Sequence, residues 1–293
     1  MTKTKKTKRF LFYASVAIFI ILSYVIILYA QGYKYSISQV KFLRTGAISL
    51  RMNVSARIFL DDKLDGSTSF FNNAYSIDRL LPGTYEISVQ KNGFSSWEKT
   101  ASVEEGFVVD FSAIILLPKE GEKKQKLFEE VALLFKNLAP IPVIQPKPSS
   151  SSRPKIKQSP SPSPSPTQES IQELYILDSK EGKLYDNTDG QFKEIANNVL
   201  GFRLSKNKNK IAWWNSNELW IVWLNDQNYQ PFYKKNDKEM MTRFQIPIQN
   251  GAWFRDEDHV ILELEQHDSR NRPYSIYRVI ETDKRGGVNI VEL

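Results

Sequence analysis

Directly after Arg9 the sequence runs from Phe10 to Ala30 for 21 residues without a charge, and only Ser15 and Ser23 interrupt its apolar character. At about 1.5 Å per residue a helix of that length spans ~30 Å, the thickness of a bilayer's hydrocarbon layer. A helix that is apolar on every side has no face to turn to water, which argues against a buried helix of a soluble core. A basic tail followed by an apolar run also describes a cleaved secretory signal, but that apolar region is about 7 to 15 residues long and ends at a small-x-small site. Here the run is longer and ends in Leu28-Tyr29-Ala30-Gln31. The sequence therefore predicts an uncleaved, single-pass signal anchor over residues 10–30, with a cleaved signal as the alternative.

Charge gives this anchor a direction. Lys3, Lys5, Lys6, Lys8 and Arg9 lie in a tail, residues 1–9, that holds no acid. The positive-inside rule keeps such a tail cytoplasmic and places Gln31 onward outside, although Lys34, Lys41 and Arg44 follow on the far side. The chain as a whole carries 40 basic and 33 acidic residues, a formal +7. Without the five tail cations the excess is only +2, so the basic balance belongs partly to the tail and does not point to nucleic acid. The absence of cysteine removes disulfides, thiolate metal sites and thiol nucleophiles, and suits a prokaryotic envelope better than an animal secreted domain.

From residue 45 to 118 short apolar-polar alternations are separated by turn residues: Ile48, Leu50 and Met52; Ala56, Ile58 and Leu60; Tyr85, Ile87 and Val89; Val109 and Phe111. Asp61 to Gly66, Pro82-Gly83 and Asn92-Gly93 supply the turns, and the pattern predicts a small β-sandwich. The words Ala56-Arg57-Ile58-Phe59-Leu60-Asp61-Asp62, Leu81-Pro82-Gly83-Thr84-Tyr85-Glu86-Ile87-Ser88-Val89 and Lys91-Asn92-Gly93-Phe94 with Trp97 resemble the PEGA domain. Asn53-Val54-Ser55-Ala56 stands where that family has Pro-Glu-Gly-Ala. The resemblance implies a non-catalytic spacer or interaction module of envelope proteins.

Leu127, Phe128, Val131, Leu134, Phe135 and Leu138 recur at three- and four-residue steps, which predicts an amphipathic helix over 119–139. Its stripe is expected to pack on the preceding sandwich, with a membrane surface or partner groove as the alternative. Nine of the 14 prolines then fall between Pro140 and Pro166, among serines and with neither an aromatic residue nor an acid. Residues 140–170 therefore read as a disordered linker, and as polyproline II the 27 residues to Pro166 would reach roughly 80 Å, enough for a stalk.

The last zone, 171–293, is strand-rich and holds Trp213, Trp214, Trp220, Trp223 and Trp253. Residues 202–213 and 253–262 echo one another, with Leu204 and Phe254, or Ile211 and Ile261, 50 residues apart. Repeats of about 40 to 50 residues with strands and aromatics are a mark of β-propeller blades. The run Phe202-Arg203-Leu204-Ser205-Lys206-Asn207-Lys208-Asn209-Lys210-Ile211-Ala212-Trp213, with Glu218-Leu219-Trp220-Ile221-Val222, resembles the blades of TolB-like propellers. The zone has length for about two and a half blades against the ~4 to 8 of a closed ring, so the propeller is expected to be incomplete, and the terminal strand before Leu293 favours truncation. The expected fold class is thus mainly β: transmembrane helix, PEGA-like sandwich, proline-rich linker and propeller-like blades.

Chemistry is sparse. His259 and His267 are the only histidines and no third ligand accompanies them. Asp256, Glu257 and Asp258, with Glu263 and Glu265, form the one carboxylate cluster, placed in an expected hairpin turn. Neither Gly-x-Ser-x-Gly, a P-loop nor Gly-x-Gly-x-x-Gly occurs, and no catalytic residue, cofactor or metal is indicated. The five distal tryptophans are either blade core or, as a candidate binding surface, platforms for sugars or protein. The expected function is a membrane-anchored extracytoplasmic binding or scaffold protein whose partners are an envelope protein or cell-wall polysaccharide and not nucleic acid. The alternative is an envelope glycan hydrolase using the Asp256 to Asp258 carboxylates.

Overall fold

A computed structural model describes residues 5–69, 71–143 and 174–293. The chain divides into two compact units, residues 1–116 and 117–293.

The first unit opens with helix α1, Lys5–Ala30, of which Thr7–Ala30 is long and apolar enough to cross a membrane. None of that span is buried against the rest of the protein, so it is not a core helix. The Ser15 hydroxyl donates to the Phe12 carbonyl at 2.9 Å, which lets it do without water. Gly32, at φ 84°, turns the chain out of the helix into a hairpin of β1, Tyr33–Ser36, and β2, Lys41–Arg44. The base of that hairpin is pinned where Thr45 donates twice to the Gly32 carbonyl, at 2.9 Å from its amide and 2.8 Å from its hydroxyl.

Two sheets follow. One has the order β6-β3-β9, with β3 Gly46–Met52, β6 Ala74–Leu80 and β9 Val108–Ile114; β3 and β9 run parallel. The other is the antiparallel β5-β4-β7-β8, with β4 Arg57–Leu60, β5 Lys63–Ser67, β7 Gly83–Gln90 and β8 Trp97–Val103. Ile48, Leu50, Ile58, Ile77, Ile87, Val89, Trp97 and Phe111 from both sheets form one core, the sandwich that the alternating patterns predict. Trp97 meets Phe111 edge to face at 5.2 Å.

The second unit is a stack of three antiparallel meanders. The first holds β10 Tyr175–Asp178, β11 Lys183–Asp186 and β12 Lys193–Ala196. The second holds β13 Gly201–Leu204, β14 Lys210–Trp214, β15 Glu218–Trp223 and β16 Lys238–Arg243. The third holds β17 Ile248–Trp253, β18 His259–His267, β19 Pro273–Glu281 and β20 Ile290–Glu292. Successive residues of β14 face opposite ways: Ile211 and Trp213 join a core with Leu177 and Leu184 of the first sheet, while Ala212 and Trp214 join a core with Val260 and Leu262 of the third. A strand covered on both faces is buried throughout, as all five residues of β14 are.

Helix α2, Gly121–Lys136, belongs to this second unit. The expectation that its stripe packs on the sandwich is corrected: Phe135 stacks on Tyr277 of β19 at 5.2 Å, Phe128 meets the same ring edge-on at 5.3 Å, and Glu130 pairs with Arg255 at 2.9 Å.

Only the first residues of the expected linker, 140–143, are described, and they are packed. After α2 the chain stays on the stack: the Ala139 carbonyl accepts from Arg203 at 2.8 Å, Ile141 packs on both cores, and Val143 bridges Leu177, whose amide donates to the Pro142 carbonyl at 3.0 Å. Residues 144–173, most of the expected linker, lie outside the described residues, yet Val143 and Leu177 on either side of them are paired. The described residues on both sides of this stretch, Val143 and Leu177, thus belong to the second unit.

Candidate functional site

The tryptophan surface expected from sequence is largely interior. Trp214 is 2% exposed, its ring held between Gly201 and Gly251, where a Cβ would approach it to 2.4 and 2.8 Å. Trp223 is 1% exposed, stacked on Tyr233 with centroids 3.5 Å apart, and its indole N–H donates to Gln227 Oε1 at 3.3 Å. Trp213 is buried and lies parallel to half-buried Trp220 at 5.3 Å. Trp220 donates to Glu218 Oε2 and half-buried Trp253 to the Arg203 carbonyl, both at 3.0 Å. Trp213, Trp214 and Trp223 are core, because strands covered on both faces bury their large side chains.

Glu218, at the start of the inner strand β15, gathers three donors. Trp220, Arg243 and Asn215 hydrogen-bond its carboxylate and hold it below the usual carboxylate range. Asn215 Nδ2 lies at 2.8 Å and Arg243 Nε at 2.9 Å, and Arg243 Nη2 contacts the same oxygen as Nε.

The carboxylates considered for catalysis are engaged in the joint between sheets. Lys210, 2% exposed, donates to Asp258 Oδ1 at 2.8 Å and to the Glu257 carbonyl at 3.0 Å. Glu257 Oε1 accepts from the Asn207 amide at 3.1 Å, and Asp256 meets His259 Nδ1 at 2.9 Å while accepting from the Asp258 amide. A buried ammonium needs such partners, so the Asp-Glu-Asp turn supports the hairpin of the neighbouring sheet. His259 and His267 stand at opposite ends of β18, ~26 Å apart for eight extended steps, and do not converge. Glu263 accepts from Ser275 at 2.7 Å, and Glu265 lies 3.6 Å from His267. Among the described residues no group of three or more His, Asp or Glu gathers as a metal site would.

A concavity does occur in the first unit. A groove of about 340 Å³ is lined by Ser55, Arg57, Thr68, Gln90, Lys91 and Asn92. Strand direction places it at the end of the sandwich opposite α1: β4 starts there and β7 ends there, whereas β6 ends beside the helix, where Arg79 lies 4.5 Å over the Tyr29 ring. Arg57 donates to Asn92 Oδ1 at 3.2 Å, and Lys91 lies 5.0 Å over the Phe94 ring. Two cations among hydroxyl and amide groups suit an acidic or polyhydroxyl ligand. In the sequence Arg57, Lys91 and Asn92 stand out only as parts of the PEGA-like motifs, with no site assigned to them.

No family model matches the chain, and no curated protein is significantly similar to it.

Proposed function

We propose that the chain is a single-pass protein of the cell envelope that presents two β units, a PEGA-like sandwich and a propeller-like stack, as binding or scaffold surfaces for an envelope protein or polysaccharide. The observation that carries this reading is the exposed apolar helix joined through a short hairpin to a sandwich whose opposite end bears a cationic groove. A helix of this composition is stable only where lipid replaces water around it. The PEGA-like assignment draws on the quoted motifs and on the two-sheet core. Three successive meanders stacked face to face, the second and third of them echoing one another at 50 residues, support the blade-like reading. The hydrolase alternative gains nothing from the carboxylates, which serve Lys210, Asn207 and His259.

The test is fractionation followed by capture. The intact chain, with its helix retained by mass, is expected to stay with membranes through an alkaline wash. Held in nanodiscs, it should then retain a defined envelope protein or polysaccharide, and Arg57→Ala with Lys91→Ala should weaken that retention. A soluble chain that has lost the residues before Gln31 would overturn the anchor, and unchanged retention by the double variant would move the contact away from the groove.

A further inference from the structure

We propose that the β1–β2 hairpin is a second membrane contact, which lays its apolar tip and aromatic face in the headgroup layer beside α1. This rests on α1 crossing a membrane, as proposed above.

The hairpin has one face turned in and one turned out. Ser36 and Leu43 are buried, at 2% and 4% exposure, whereas Tyr35 and Phe42, paired across the strands, are 46% and 36% exposed and meet edge to face at 5.3 Å. At the tip Ile37 is 86% and Val40 73% exposed. Arg44 lies on the face of Tyr35 and Phe42, while exposed Lys34 and Lys41 rim the opposite face beside Leu43 and Ser36. Aromatic rings beside exposed aliphatic groups and cations make up the composition of a membrane interface, where rings sit at headgroup level and cations meet phosphates.

Backbone conformation adds a second, independent observation. Val40 adopts φ 52°, a region that hairpin turns ordinarily fill with Gly or Asn and that a β-branched residue enters only with strain. A strained turn residue that also exposes an aliphatic side chain to water is unfavourable twice over, and lipid contact removes the second cost. Such local conflicts mark functional positions.

Position decides the occupant. Gly32 is the only residue between the helix's terminal turn at Gln31 and the start of β1, and Thr45 fastens the returning strand to Gly32. Arg44 lies over Gly106, so the loop that exposes Phe107 sits at this same end. From Gly32 to Ile37 the extended chain reaches ~16 Å, so a hairpin lying along the bilayer keeps its tip within the headgroup layer. The surface is continuous with the apolar helix, and its cations match anionic headgroups. Phe71, 94% exposed, has no such continuity, because it lies in the β5–β6 connection at the far end of the sandwich.

The absence of cysteine makes the test direct. Single variants Ile37→Cys, Val40→Cys, Phe71→Cys and Ile20→Cys of the full chain would carry a nitroxide in nanodiscs containing phosphatidylglycerol. Collision with oxygen, which enters lipid, is compared with collision with a water-soluble nickel chelate. Ile37 and Val40 labels are expected to show a ratio shifted from the Phe71 value toward the Ile20 value. If both match Phe71 while Ile20 reads as lipid, the hairpin proposal fails and the span stands. If Ile20 itself is open to the chelate, the membrane reading falls and the hairpin contact with it.

Discussion

The indole N–H of Trp253 donates to the carbonyl of Arg203, 3.0 Å away and 50 residues earlier in the chain. The same interval separates Gly201 from Gly251 around the Trp214 ring, and Asn207 from the Glu257 carboxylate. The internal repeat thus does structural work, because equivalent positions of neighbouring sheets touch. Gly251→Ala would drive a methyl into the Trp214 ring, and overpacking of this kind costs about 1 to 3 kcal/mol. Chemical unfolding of the second unit should shift by that amount, and an unshifted transition would mean that the ring has room.

Lys210 and Asp258 offer a signed comparison. Asp258→Asn leaves a buried ammonium short of its countercharge, which costs on the order of 3 kcal/mol, whereas Lys210→Met combined with Asp258→Asn removes both charges and should cost less. Urea unfolding of both variants checks the ordering, and equal losses would contradict it.

Val40→Asn would relieve a left-handed β-branched residue, a strain of roughly 1 to 2 kcal/mol. The variant is expected to melt at higher temperature while its hairpin loses protection from the nickel chelate in nanodiscs. Stabilisation with undiminished protection would separate the strain from the membrane contact.

Raising pH should weaken the second unit. Burial pushes the Tyr233 phenol up, helped by the Glu239 charge, and burial does the same at Tyr175 and Tyr277. Each favours the folded state fully below the unfolded phenol value near 10, and that support is lost as pH climbs toward the folded value. Tyr233→Phe keeps the ring on Trp223 and removes the hydroxyl bond to Glu239, so its alkaline unfolding midpoint should move upward. A lower or unchanged midpoint would refute the role given to burial.

Much of the fold is legible in sequence where one face is buried. Ile48-Leu50-Met52 and Ile87-Val89 alternate and lie in the sandwich core, and the 50-residue echo locates β13–β14 and β17–β18. Strands β5 and β6 escape the reading because Lys63–Ser67 is exposed along its length and Ala74–Leu80 buries only Ile77 and Leu80. The parallel pairing of β3 with β9 joins residues about 60 apart and leaves no local trace. For the tryptophans alternation leaves two readings open, because it cannot distinguish a half-buried strand from one stacked between two sheets, and Trp213, Trp214 and Trp223 follow the core reading. At the start of the expected linker composition hides a tertiary contact, and the aliphatic residues Ile141 and Val143 set among the first prolines are its signal.

That contact makes a firm prediction. A site-specific protease sequence inserted after Ser151 should, once cut, leave two fragments that still elute together under native conditions, because residues 117–143 remain packed on 174–293. Separation of the fragments without denaturant would contradict the contact.

The seating of Phe128 and Phe135 on Tyr277 gives the stack a terminus. A fourth sheet of the same kind, from a second copy of this chain or from another protein, would reach the Tyr277 face only by evicting the helix. Extension of the stack and docking of α2 are therefore mutually exclusive states of one surface.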